Sequence, residues 1–407
     1  MSFMIVFFIL NSLGAASLKE AFESARLNME TLKRAEARVE QARERKNQAR
    51  AVVLPIVSAV GNFTRIDPPD TISNGAFTLK KQYSSALRLQ QPLLRGGIVG
   101  AYQFAQEDIM LAEFQKNANM VNLYQLVIGS YYNLYIAQVD LDNLSELLKF
   151  SGDRVKELKS RTIVGKTRRG ELVQAETQLL TARTQYQQGE MALKQAEETY
   201  MFYTQLAPER LPLLPDIPKS LESVTDYLSK VRTRPDIMVG VQQIKLADKQ
   251  VSISRGGHFP SLDLVGNYYL ERTGIFASSR WDASFVFSVP LFQGGAISSD
   301  IRESLERKRE AELSNHELVR AAQRDMQILY QNYHILQLQV SVSKDALKKS
   351  EEAYRLNLTD YRYGLATNLE VLQSLNVFIE TKRSYNNLVA VAFMTYKNLE
   401  AQTGVLP

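Results

Sequence analysis

Two short stretches decide how this chain is read: "QPLLRGG", Gln91 to Gly97, and "VPLFQGG", Val289 to Gly295. Both follow an alternating, strand-like run and precede a long run rich in helix formers. Proline cannot donate to a sheet ladder, and a Gly pair tolerates an abrupt change of direction. Each stretch therefore reads as a hinge from strand to helix, made of Pro92, Gly96 and Gly97 in one case and Pro290, Gly294 and Gly295 in the other.

The hinges lie 198 residues apart, and their surroundings repeat with them. Upstream, "LPIVSAVGNFTR" matches "FPSLDLVGNYYLER", with Gly61-Asn62 against Gly266-Asn267. Downstream, "RTIVGKTRRGELVQAE" matches "DYRYGLATNLEVLQSL", with Gly165 against Gly364. Landmarks kept in one order at nearly one offset indicate an internal duplication. The expected organisation is a first repeat at 17–207, a Pro-rich inter-repeat segment at 208–233 and a second repeat at 234–407.

Within each repeat the order of patterns is a helix, two short strands and a long helical hairpin. Residues from about Ile98 to Thr162 contain no proline and little glycine. As one helix they would extend about 100 Å. A second run from Gly165 to Leu206 folds back, with "RTIVGKT" as the hairpin tip. The second repeat has Ile297 to Arg362, a tip at "YRYGLAT", and Asn368 to Thr403. Helices this long need coiled-coil partners; Leu179, Ala182 and Tyr186, or Leu369, Leu372, Leu375, Val377 and Ile379, are read as the seam.

The strands are expected near Ile56–Arg65, Gln82–Gln91, Ser261–Glu271 and Arg280–Val289. In "WDASFVFSV", Trp281, Ala283, Phe285, Phe287 and Val289 alternate with Asp282, Ser284, Val286 and Ser288. Period 2 gives one apolar and one polar face. About ten residues suit a tilted transmembrane strand, although a soluble sheet packed on a helix fits the same pattern. Four strands cannot close a barrel, because the smallest membrane barrels have about eight. If these strands enter lipid, several chains must share one barrel.

Composition narrows the function. The 407 residues are 45% hydrophobic, with 49 basic against 44 acidic groups and no cysteine. This is no basic domain, so nucleic acid is not an expected partner. The three histidines are scattered, no motif of a nucleophile or zinc hydrolase occurs, and "GKT" at Gly165–Thr167 lacks the first glycine and preceding strand of a phosphate loop. No enzyme activity, metal or cofactor is expected. Residues 1–16, apolar from Phe3 to Leu10 and then small, are read as a signal peptide.

With these features the chain resembles the TolC-like outer-membrane efflux proteins of Gram-negative bacteria. The duplication, both hinges, "RPDI" at Arg234–Ile237 and the two Gly-containing tips carry the resemblance over nearly the whole sequence. It implies an α+β membrane protein: a homotrimer whose twelve-stranded β-barrel, four strands per chain, is continued by a long α-helical coiled-coil barrel in the periplasm. It implies outer-membrane localisation, a periplasmic adaptor and an inner-membrane pump as partners, and export. Glu171, Tyr361, Glu370 and Gln373 fall at positions of the periplasmic gate. Tyr361 would bond Glu171. The gate arginine is replaced by Ala366, for which Arg168, Arg169 or Arg362 could compensate. Val164, Gly165, Gly364 and Leu365 match the adaptor contact at the tips. The competing reading is a periplasmic coiled-coil adaptor without its own pore.

Overall fold

Helix starts are written into the chain as capping boxes, in which a Ser or Thr side chain and a carboxylate three residues on satisfy each other's backbone amides. Ser17 and Glu20 open α1 (Leu18–Asn28), and Thr367 and Glu370 open α8 (Asn368–Gln402). Between them run α2 (Glu30–Ala51), β1 (Ile56–Arg65), β2 (Lys81–Leu94), α3 (Ile98–Ile163), α4 (Arg169–Thr204), α5 (Val224–Lys230), α6 (Pro235–Gly256), β3 (Ser261–Arg272), β4 (Trp281–Ser288) and α7 (Ala296–Arg362). The computed structural model describes residues 16–65, 81–218, 220–274, 276–404 and 406–407. Apart from Ala16, the expected signal peptide lies outside the described residues.

The chain forms two compact units, each assembled from stretches of both repeats. One unit comprises Arg34–Lys116 and Asp236–Leu318 and holds the sheet; the other comprises Met1–Lys33, Asn117–Pro235 and Val319–Pro407 and holds the hairpins.

The sheet is an antiparallel meander in the order β1-β2-β3-β4. Its register sorts the side chains as the alternation requires. Arg88 faces Asn267, and Asn267 faces Asp282. Arg88 Nε donates to Asn267 Oδ1 (3.0 Å), Asn267 Nδ2 to Asp282 Oδ1 (2.7 Å) and the Tyr269 hydroxyl to Asp282 Oδ2 (2.8 Å). The other face carries Val57, Leu87, Leu89, Tyr268 and Leu270, all exposed. Trp281, Phe285 and Phe287 on it are 69%, 70% and 64% exposed. One face is a polar ladder, and the other is a bare apolar sheet.

Pro92 lies inside β2 rather than in the hinge. β1 pairs only as far as Gln90, so the missing amide of Pro92 faces an unpaired flank, and the ladder with β3 bulges between Pro92 and Leu94. At the other hinge the strand stops at Ser288, before Pro290. The Gly pairs also differ in surroundings. A Cβ on Gly96 would stand 1.8 Å from the Gly256 carbonyl oxygen, at the end of α6, whereas one on Gly294 or Gly295 would meet nothing within 4 Å. Gly97, Gly294 and Gly295 have positive φ (82°, 59° and 85°), as a sharp turn out of a sheet demands.

The hairpin unit is cored by aromatic residues. Phe22, Tyr124, Tyr131, Tyr132, Tyr200 and Phe393 belong to one buried cluster. The Tyr-rich run at 131–135 is thus packing between helices, with Tyr132 stacked on Phe393. The proline-rich segment has few backbone bonds of its own, so side chains supply them: Tyr333 and Gln337 donate to the Pro218 carbonyl (2.6 and 2.7 Å). Ala182, Leu372, Leu375 and Ile379 of the expected seam are buried, while Leu369 and Val377 face out. The buried seam of α8 also takes in Val371 and Phe378.

Gly96→Ala is expected to destabilise the protein by about 1–3 kcal/mol through overpacking against Gly256. Gly61→Ala, with nothing within 4 Å of its added Cβ, is expected to be near neutral. Denaturation midpoints of the two variants check the difference.

Candidate functional site

Both hairpin tips close in the same way. At the first, the Gly165 amide donates to the Thr162 carbonyl (3.1 Å) and that of Lys166 to Arg161 (2.9 Å). At the second, Gly364 donates to Tyr361 (3.1 Å) and Leu365 to Asp360 (2.8 Å). This is a helix end capped by a left-handed residue, with φ of 70° at Gly165 and 77° at Gly364. The turn alone accounts for both glycines. Beside them Ile163, Val164, Tyr363 and Leu365 stand exposed, so each turn presents an apolar patch.

Glu370 is exposed, and its carboxylate accepts from the Thr367 amide (2.6 Å) and hydroxyl (2.9 Å). These two bonds, the amide's foremost, hold its carboxyl below the usual carboxylate range. Gln373 is exposed one turn further along α8. Glu171 is half-buried in the first turn of α4; its carbonyl accepts from Asn368 Nδ2 (3.3 Å), and among the described residues its carboxylate makes no hydrogen bond or ion pair.

Tyr361 is buried and does not bond Glu171 within the chain. Its ring lies under two guanidinium groups, Arg154 at 3.7 Å and Arg161 at 4.9 Å from the ring centre. It packs with Leu158, Ala175 and Val371, with Ala366 at the edge of the cluster. The guanidinium groups that stand over this ring are thus those of Arg154 and Arg161 of α3. The side chains of Arg168, Arg169 and Arg362 are exposed and make no hydrogen bond or ion pair among the described residues.

Arg154 and Asn368 were not legible as site residues from composition. The signal was positional: Leu147, Ser151, Arg154 and Leu158 keep the 4-3-4 spacing of a helix seam, so a charge at 154 had to enter the packing. It is the last of three polar links between α3 and α8. Asp140 takes both arms of Arg383 (2.6 and 3.0 Å), Glu146 takes Lys382 (2.5 Å), and Asn368 takes Arg154 (2.8 Å). The equivalent helices α4 and α8 also meet, where Gln178 donates to Asn376 (2.7 Å) at the repeat offset of 198.

Nothing in this arrangement is reactive chemistry. Among the described residues no group of His, Asp and Glu could hold a metal, and no helix is long and apolar enough to cross a membrane. The site has four helix ends meeting at two apolar turns, with the buried charge of Arg154 between them.

Comparison with known proteins matches residues 21–203 and 231–403 to a protein family described as outer membrane efflux protein. The toluene efflux pump outer membrane protein TtgC of Pseudomonas putida is 23% identical over 375 residues, 88% of this chain and 76% of the relative. The proteases secretion protein PrtF of Dickeya chrysanthemi is 24% identical over 420 residues, 97% of this chain and 89% of the relative. The CmeC outer membrane channel of Campylobacter jejuni superimposes with a TM-score of 0.82 at 18% identity, covering 95% of this chain and 85% of that one; this likeness is one of fold.

The folded-state carboxyl of Glu370 is depressed, so its capping contribution is present at neutral pH and lost as pH falls below its ordinary value of 4.5. The protection of the amides at 367–371, taken relative to the intrinsic exchange rate at each pH, is expected to fall on acidification through that range. Thr367→Ala should remove only the hydroxyl's smaller share of this pH dependence, because the amide that contributes most remains.

Proposed function

The chain belongs to the outer membrane efflux protein family, and from that premise we propose that it is the outer-membrane exit duct of a tripartite efflux or type I secretion system. It is an outer-membrane protein. One observation carries the duct reading: the sheet has an exposed apolar face, a hydrogen-bonded polar face and two open edges, β1 and β4. Hydrocarbon suits the first and forbids the last, because an unpaired strand edge in lipid leaves backbone groups unsatisfied. Copies that pool their strands remove every edge. Three chains of four strands make a closed barrel of twelve, with Arg88, Asn267 and Asp282 lining the bore.

The helices support the same assembly. Ile328, Ile335, Val342 and Leu356 of α7 are exposed at heptad intervals, an unpartnered seam that a neighbouring copy would cover. The open second hinge points the same way. Gly256 at the end of α6 packs on the first hinge. Its counterpart by the repeat is Ala51 at the end of α2, and we assign Ala51 of a neighbouring copy to the space around Gly294 and Gly295. The helical barrel then continues the bore into the periplasm.

The hairpin tips form the periplasmic entrance in this reading, with Glu171, Tyr361, Glu370 and Gln373 around it. Val164, Gly165, Gly364 and Leu365 offer the apolar contact for a periplasmic adaptor, which links the duct to an inner-membrane pump. Residues 1–16 are the signal peptide, 17–207 and 234–407 the repeats, and 208–233 the segment between them. TtgC and PrtF are named for toluene efflux and protease secretion, and export is what those names share with this proposal.

Phe285→Lys, on the apolar face, is expected to destabilise the inserted state by about 2–4 kcal/mol near the bilayer midplane and to empty the outer membrane of the protein. Ser284→Lys, one residue away on the polar face, should insert normally and shift ion selectivity toward anions in planar bilayers. Equal insertion of the two variants contradicts the barrel.

A further inference from the structure

The last turn of α7 and the first turn of α8 are held by a charge that comes from the other hairpin. Arg154 on α3 is 5% exposed. Its guanidinium lies on the face of Tyr361, 3.7 Å from the ring centre. Nε donates to Oδ1 of Asn368 (2.8 Å), and one terminal nitrogen donates to Glu157 (2.8 Å). The other terminal nitrogen is buried without a partner. Asn368, 1% exposed, passes the connection on through its bond to the Glu171 carbonyl. A single side chain thereby joins α3 to both helix ends of the second tip and, through Asn368, to α4.

We propose that Arg154 is the bolt of the closed entrance, a positioning residue that clamps the second tip through the face of Tyr361 and the amide of Asn368 and must withdraw for the entrance to widen. The proposal rests on reading the tips as the entrance of the duct.

The geometry says which atoms matter. A guanidinium over a ring is attracted by the quadrupole of the π-face, so the ring of Tyr361 is needed and its hydroxyl is not. The rigid fork lets one group reach Asn368 and Glu157 at once, which an ammonium does less well. The clamp is also incomplete. Among the described residues the carboxylate it pairs with, Glu157, is shared with Arg161 (2.8 Å), and one terminal nitrogen is buried without a partner. A buried charge short of partners gains hydration when it swings out, so the closed arrangement holds without being deep. With alanine at 366, no competing cation stands beside the ring from the second tip.

The test is the conductance of the full-length protein, purified in detergent and reconstituted in planar bilayers, with trimer integrity checked for each variant. Arg154→Gln is expected to raise the open fraction roughly tenfold, the factor that corresponds to about 1.4 kcal/mol. Arg154→Lys should restore part of the closure by keeping a charge over the ring. Asn368→Ala should open the channel in the same direction but less. The deciding pair is Tyr361→Phe, expected to behave as wild type, against Tyr361→Leu, expected to open like Arg154→Gln. That pair leaves Arg154 in place and decides the matter even if Arg154→Gln fails to assemble. A conducting wild type whose open fraction is unmoved by Tyr361→Leu, or moved as much by Tyr361→Phe, overturns the clamp alone. A wild type that never conducts overturns the entrance reading and the clamp with it.

Discussion

Backbone that finds no hydrogen-bond partner in lipid is the constraint on which this molecule depends. A bare N–H or C=O in hydrocarbon costs several kcal/mol, and among the described residues the sheet has four strands with both outer flanks open. Among the described residues nothing covers the apolar face of that sheet. Its polar face needs no cover, since Arg88, Asn267, Asp282 and Tyr269 satisfy one another. In the proposed assembly this division is met by lipid on one side, water on the other and further copies at the edges.

The rest follows from feeding such strands into helices. Each strand pair must give way abruptly to a helix of more than sixty residues, which fixes the Gly pairs. The repeats are alike in sequence but not in surroundings: the first hinge is wedged against Gly256, and the second is open. The hairpins are graded along their length. Near α1 they are bound by a broad cluster of buried tyrosines and phenylalanines. Toward the tips the core shrinks to Leu158, Ala175, Tyr361 and Val371, and polar links replace apolar area. Little hydrophobic burial opposes separation there, so the tips are where the helices part most readily.

Much of this is legible in the sequence, for identifiable reasons. The absence of proline and the scarcity of glycine fix the long helices to within a residue or two, as Ile98–Ile163 and Ala296–Arg362 show. Strict alternation fixes the strands and their faces. Local rules fail where tertiary context overrides them. Pro92 reads as a strand terminator, yet the strand continues because its flank is already unpaired. The helical stretch before β1 breaks at Met29, which carries no breaker signal; its extended backbone is held by burial beside Phe22 and Leu32. Val377 is apolar and sits among seam residues in sequence, and it faces out. The place of Tyr361 at the second tip is legible, but the guanidinium over its ring is not. A charge paired across two hairpins over 200 residues apart leaves no local trace except its seam position.

The central claim is that copies of this chain complete one another's sheet. The most direct measurement is the mass of the detergent-extracted protein by native mass spectrometry. The account requires three copies that stay together until the detergent-protected sheet is denatured. A monomer that remains dispersed in plain buffer and does not bind lipid vesicles would contradict it.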